Sequence, residues 1–249
     1  MIPHQLPLKL TLRDDALFDN YFVGDNHLLI DAIKKWVLGD REPFIYCYGN
    51  SGMGRTHLLQ ACCHAIQKNN HSVFYLPLSH HAEFSSEIVD ALENQDCICI
   101  DDLDLVIGNQ QWEESLFHFY NRAKENNTRL LVSATIPPQQ LNCFLKDLQS
   151  RLSWGLVLAI KNLRDEEKIK ALQMRANLRG IHLSDEVGNY LIHHYSRNMR
   201  DLFSILEILD HASLAEQRKL TVPFVKRVLP CATVKTDGEN ANEYQYQSH

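Results

Sequence analysis

Gly49-Asn50-Ser51-Gly52-Met53-Gly54-Arg55-Thr56 follows the apolar run Phe44-Ile45-Tyr46-Cys47-Tyr48 and opens into His57-Leu58-Leu59-Gln60. Glycine, four residues, glycine, a basic residue and threonine is the spacing of a phosphate-binding loop, with arginine where lysine is usual. Glycines let backbone N–H groups close around an anion, and the helix that follows adds the positive end of its dipole. Gly49, Asn50, Ser51, Gly52, Met53, Gly54, Arg55, Thr56 and His57 are therefore candidate nucleotide-binding residues. The Thr56 hydroxyl is a hard ligand suited to Mg2+. Arg55 can hold phosphate oxygens, as a planar fork rather than a point charge. A glycine-rich turn before a helix would share part of the pattern, so a second signal is needed.

That signal is Cys97-Ile98-Cys99-Ile100-Asp101-Asp102. Four apolar residues make a buried strand with two carboxylates at its carboxyl end. In an open parallel sheet that end lies beside the phosphate loop. Asp101 is the candidate metal ligand, through water, and Asp102 the candidate group to orient or deprotonate an attacking water. Two solvated aspartates in a turn are the alternative. Thr135, where the run Arg129-Leu130-Leu131-Val132-Ser133 ends, is a candidate sensor of a terminal phosphate. The aromatic stretch 18–26, with Phe22 and Val23, reads either as a loop packed on the core or as the wall of an adenine pocket.

The elements that must position these residues are legible from periodicity. Strands are expected at 44–48, 72–76, 97–100, 129–133 and 156–160. Helices are expected at 28–37, after the phosphate loop, near 82–94, around Trp112–Tyr120 and at 141–152. From 161 the pattern is helical throughout, with Ser184, Asn198 and Thr221 opening successive helices and Pro223 tolerated in a first turn. The fold class is α/β: a parallel sheet flanked by helices, then a small all-helical domain. Residues 1–11 form an extended leader, 12–160 the nucleotide-binding core, 161–230 the helical domain and 231–249 a polar tail expected to be disordered.

Composition narrows the partners. The chain has 249 residues, a net charge of −6 and 45% hydrophobic residues, which argues against a large basic face for DNA. Seven cysteines, several inside apolar runs, read as packing residues of a reducing compartment. No signal peptide or membrane-spanning run is visible, so a cytoplasmic protein without a membrane partner is expected. In the leader, Gln5, Leu6, Leu8 and Leu10 present leucines at period two before the fold begins. This suits either a frayed tail or a peptide that docks leucines into a partner's pockets.

Taken together, the chain resembles the DnaA-related AAA+ family over residues 4 to about 229. Phe18-Asp19-Asn20 with Gly24 and Asn26 resembles the first box of that family. Ser150-Arg151-Leu152-Ser153-Trp154-Gly155 resembles the box that carries its arginine finger. Gln173-x-Arg175-Ala176-x-Leu178-Arg179-Gly180 and Gln217–Lys226 resemble its regulatory members, as does the arginine in the phosphate loop. The resemblance implies ADP or ATP with Mg2+ as cofactors, Arg200 as a second-domain arginine reaching back to the nucleotide, and Arg151 as a finger offered in trans to a neighbour. It implies that Gln5–Leu10 bind the DNA polymerase sliding clamp, that initiator DnaA is a partner, that DNA is met only indirectly, and that the chain self-associates. Family members carry an acidic residue where Thr135 stands and an arginine where Ile136 stands, so Thr135 can hydrogen-bond but brings no charge. The expected function is negative regulation of replication initiation by stimulating hydrolysis of DnaA-bound ATP. An autonomous ATPase acting as a helicase loader or motor is the alternative.

Overall fold

The computed structural model describes residues 12–39, 43–92 and 94–229. The segment expected to dock on a partner, Gln5 to Leu10, and the tail beyond 229 lie outside them. Five strands, β1 (Phe44–Tyr48), β2 (Val73–Pro77), β3 (Cys97–Asp101), β4 (Arg129–Ala134) and β5 (Leu156–Ala159), form one sheet in the order β2-β3-β4-β1-β5. Every pairing is parallel, so helices must cover both faces. Strand alternation sorts the side chains accordingly. Ile45, Cys47, Cys97, Cys99 and Leu131 pack toward α1 (His27–Val37) and α2 (Arg55–Lys68). Phe44, Tyr46, Ile98, Ile100, Leu130 and Val132 pack toward α3 (Gln110–Glu125) and α4 (Lys146–Leu152). Cys62 and Cys63 of α2 complete the first layer as small, buried, unpaired thiols. Burial pushes the Cys47 thiol up to about 12, which keeps it protonated and inert.

Two expected helices are reshaped. The stretch near 82–94 is not an α-helix but two 3-10 segments, Leu78–Glu83 and Ser86–Leu92, separated by extended Phe84. The helix expected from 141 begins only at Lys146. Its cause is Glu113, fully buried, whose carboxylate accepts from the backbone N–H groups of Gly108 and Leu145, each at 2.8 Å. Buried carboxylates need such donors, and the Leu145 amide given to Glu113 marks the turn from which α4 departs.

The remaining helices, α5 (Asp165–Leu178), α6 (Asp185–His194), α7 (Met199–Glu216) and α8 (Val222–Val228), enclose a separate apolar cluster built on Leu172, Leu191, Leu202, Leu206 and Val225. Their starts are those the capping residues mark: Ser184, Asn198 and Thr221 each accept a backbone N–H of the first turn. Asn26 ties this unit to the sheet. Its buried amide donates to the Lys161 carbonyl at 3.1 Å and accepts from the Lys161 N–H at 2.7 Å, fixing the chain as it leaves β5. Among the described residues no helix is long and apolar enough to cross a membrane.

Candidate functional site

The carboxyl ends of β1, β3 and β4 meet at the crevice where strand order reverses, the place where ligands bind in open α/β sheets. The loop after β1 turns through Gly52 (φ +83°) and Gly54 (φ +88°), conformations that favour glycine. It delivers its amides to the N-terminus of α2. Above it, α5 and α7 close a cleft of about 490 Å³, within the size range of small-ligand sites. Phe22, Gly52, Met53, Gly54, Arg55, Thr56, His57 and Arg200 all line it. The far wall is one that motif spacing did not reveal: Leu163, Met174 and Phe203 supply apolar surface, and Arg13, Lys161 and Arg175 supply cations. An apolar wall beside a loop of amides and cations suits a base on one side and phosphates on the other.

Other expected residues stand elsewhere. Val23 packs into the core with α1 and α2. Gly49, Asn50 and Ser51 shape the loop from behind: the Gly49 carbonyl accepts from Arg55 and the Ser51 carbonyl from Asn198. Arg175 is buried against Asp15, to which it donates, and its guanidinium lies 5.5 Å from the Phe203 ring centroid. Asp15 and Arg175 thereby join the segment before α1 to the helical unit.

Behind the loop, Arg55 bridges two acceptors. Nη1 donates to the Gly49 carbonyl at 2.5 Å and Nη2 to Asp102 Oδ1 at 2.6 Å. Asp102 sits at φ +57°, its amide donating to Ser133 Oγ at 3.1 Å. Asp101 is buried and accepts from Ser133 Oγ and from the Tyr75 hydroxyl, the latter at 2.8 Å. Thr135 donates through its amide (3.0 Å) and its hydroxyl (2.5 Å) to Asp104. Burial and the neighbouring Asp101 raise the Asp102 carboxyl above the usual carboxylate range, and Arg55 pulls it partly back. Burial and Asp101 likewise push the Tyr75 phenol up, so Tyr75 remains a donor.

These residues fit the groups that such a loop takes. Thr56, on the cleft lining, is a hard oxygen donor that would suit Mg2+, whereas Asp101 is buried behind the loop on Tyr75 and Ser133 and would reach such an ion only through water. The ion, when bound, would neutralise phosphate charge.

His57 reports on the cleft. Its Nε2 lies 2.9 Å from the Leu17 carbonyl, and its ring meets Tyr21 edge-on. Burial lowers its pKa. A histidine whose folded pKa is depressed costs nothing above its unfolded value near 6.5, and stability is lost as pH falls below that toward the folded value. The thermal midpoint of the wild-type chain should therefore fall more steeply than that of His57→Gln between about pH 7 and 5. Parallel pH profiles for the two proteins would count against a buried neutral imidazole.

The family model for the bacterial DnaA ATPase domain matches residues 12–159, more than half of the chain. The chain belongs to the DnaA-related AAA+ family. A second model, for the Hda lid domain, matches residues 165–229, so the helices α5–α8 of this DnaA-related protein are an Hda-type lid. Solved structures share the fold. Domain III of the Thermotoga maritima replication initiation protein DnaA is 22% identical with a TM-score of 0.79, over 88% of this chain and 98% of that one. DnaA from Aquifex aeolicus, bound to AMPPCP, is 22% identical with a TM-score of 0.68, over 80% of this chain and 66% of that one. The Thermotoga maritima RuvB branch migration motor is 16% identical with a TM-score of 0.59, over 80% of this chain and 68% of that one. This DnaA-related chain is thus an AAA+ nucleotide-binding protein of the replication-regulator kind.

Arg151 takes no part in this cleft. It lies on α4, on the face shared with α3. Its Nε donates to Asn121 Oδ1 at 2.8 Å, and its guanidinium lies 4.1 Å from the Phe117 ring centroid and 5.5 Å from that of Trp154. Trp154 is 55% exposed and carries Lys124 over its ring at 4.4 Å. The surface is aromatic, cationic and open to solvent.

Proposed function

We propose that the chain inactivates the replication initiator. In this reading it holds ADP in the cleft beneath its lid and docks on the DNA-loaded sliding clamp through Gln5, Leu6, Leu8 and Leu10. It then meets ATP-bound DnaA and offers Arg151 to the nucleotide of that partner. Mg2+ on the chain's own nucleotide is held by Thr56 and, through water, Asp101. Arg200, at the start of α7, reaches that nucleotide from the lid and couples its presence to the lid angle. The single observation that carries the reading is the position of Arg151: half-exposed on α4, absent from the lining of the chain's own cleft, and stacked on Phe117. A finger that serves its own subunit would face its own phosphates.

The test is reconstitution. DnaA loaded with labelled ATP is mixed with this chain, clamp and primed DNA, and DnaA-bound ADP is followed. ADP should accumulate only when chain and loaded clamp are both present. Hydrolysis that ignores the chain overturns the reading.

The leader is separable. Tethering through a clamp peptide raises the local concentration of the chain near DNA-bound DnaA, by a factor of order 10²–10⁴ in avidity. Deleting residues 1–11 should abolish clamp pull-down and cut clamp-dependent stimulation by about 10², with nucleotide binding unchanged. Retained pull-down would assign clamp binding to another surface. An autonomous motor would need an acid and a sensor free to act on its own nucleotide, and Asp102 and Thr135 are paired with Arg55 and Asp104.

A further inference from the structure

The polar edge behind the phosphate loop is closed on itself. Asp101 is held by Tyr75 and Ser133, Asp102 by Arg55, and Thr135 by Asp104. Arg55 is only 8% exposed and Asp102 18%, so parting them would leave a buried guanidinium without its counter-charge, which is strongly unfavourable. The guanidinium suits this place because its fork spans two acceptors at once, the Gly49 carbonyl and the Asp102 carboxylate. A lysine ammonium is a single compact charge on a flexible stem and has no such fork.

We propose that Arg55 is a positioning residue that ties Asp102 Oδ1 into an ion pair, so that this cleft binds ATP or ADP and keeps it unhydrolysed. The inference rests on the reading that the cleft holds an adenine nucleotide. Hydrolysis would form a bond between a water oxygen and the γ-phosphorus. The bridging β–γ P–O bond would break with its electron pair leaving on ADP, and the water proton would pass through a carboxylate to inorganic phosphate. Asp102 is the carboxylate placed at the strand end for that proton transfer, and its Oδ1 is already engaged by Arg55. Ser133 holds the Asp102 backbone amide as well, which keeps the residue at the end of β3 within reach of Arg55. The consequence is a nucleotide that organises the lid and is not consumed.

The experiment uses the full chain with labelled ATP and Mg2+, without DnaA, in single turnover. Wild-type protein should retain its ATP. Arg55→Lys should release Asp102 and hydrolyse bound ATP at least tenfold faster, and adding Asp102→Asn to that variant should return the rate to the wild-type value. A merely structural arginine predicts no gain from its conservative replacement. Arg55→Lys protein that holds ATP at the wild-type rate overturns the proposal, and so does a wild-type rate already equal to that of a releasing variant. Where Arg55→Lys fails to hold nucleotide, a crystal of the wild-type chain with a non-hydrolysable ATP analogue decides. Arg55 still on Asp102 supports the lock, and Arg55 on the phosphates with Asp102 facing water overturns it. Wild-type protein that binds no ATP overturns the nucleotide reading together with this one, whereas fast wild-type turnover overturns this one alone. Neither result bears on Arg151, because DnaA is absent.

Discussion

Arg151→Ala is expected to lower clamp-dependent hydrolysis of DnaA-bound ATP by about 10³-fold or more while leaving the fold and the chain's own nucleotide affinity unchanged. The magnitude follows from what an arginine finger does: it meets charge on the transferring phosphoryl group, and its removal costs roughly 10³–10⁵ in rate. That corresponds to about 4–7 kcal/mol at the transition state. Against it stand the local contacts of Arg151, ring contacts with Phe117 and Trp154 and hydrogen bonds to Asn121 and to the Asp147 carbonyl. A cation–π contact at an exposed site is worth about 0.5–1 kcal/mol, and a hydrogen bond about 1 kcal/mol net. The side chain can therefore leave its resting place at a cost that the gain at a partner's phosphate outweighs. Arg151→Lys keeps a charge but loses the fork, so it should recover only part of the rate. Undiminished stimulation by Arg151→Ala in the reconstituted assay would rule out the finger.

Much of this arrangement could be read along the chain, and the parts that could not share a cause. The phosphate loop, the acidic strand and the polar end of β4 are local patterns, because continuous apolar runs and glycine spacing are properties of a few consecutive residues. The helix starts at Ser184, Asn198 and Thr221 were legible for the same reason. What sequence spacing could not supply is which distant groups would meet. Arg55 and Asp102 are 47 residues apart, and their pairing depends on β1, β4 and β3 lying side by side. Arg175 and Asp15 are 160 apart, so the cationic far wall of the cleft had no local signature. The Hda-like run around Arg175 pointed to the family but not to this contact. The late start of α4 is the same effect in miniature: an apolar helical pattern from Leu141 lost its first turn to a buried glutamate on another helix. Asn26 closes the first family box in the sequence, yet its task, clamping Lys161 at the root of the lid, became visible only with the fold.

Gly52→Val is the second large effect, and it tests whether the lid and the loop are one device. Gly52 has φ +83°, where a β-branched residue is strained by about 1–2 kcal/mol or more. A Cβ there would collide with Asn198 Oδ1 and lie 2.7 Å from its Cγ. Asn198 cannot simply rotate aside. Its Oδ1 accepts from the Arg200 amide at 2.8 Å as the cap of α7, and its Nδ2 donates to the Ser51 carbonyl at 3.2 Å. Losing an asparagine cap costs about 1 kcal/mol, and the lid-to-loop bond goes with it. Backbone strain and the broken clasp together come to about 3 kcal/mol, which at 1.4 kcal/mol per decade is about a 10²-fold loss in nucleotide affinity. The core should persist, because the substitution touches none of the three apolar clusters. Titration with a fluorescent ADP analogue, beside thermal denaturation of the nucleotide-free protein, separates the two effects. Asn198→Ala added to Gly52→Val removes the clash but not the backbone strain, so the double variant should regain part of the affinity and no more. Affinity of Gly52→Val within threefold of wild type would mean that the loop opens away from the lid when nucleotide binds, and that Asn198 holds only the empty state.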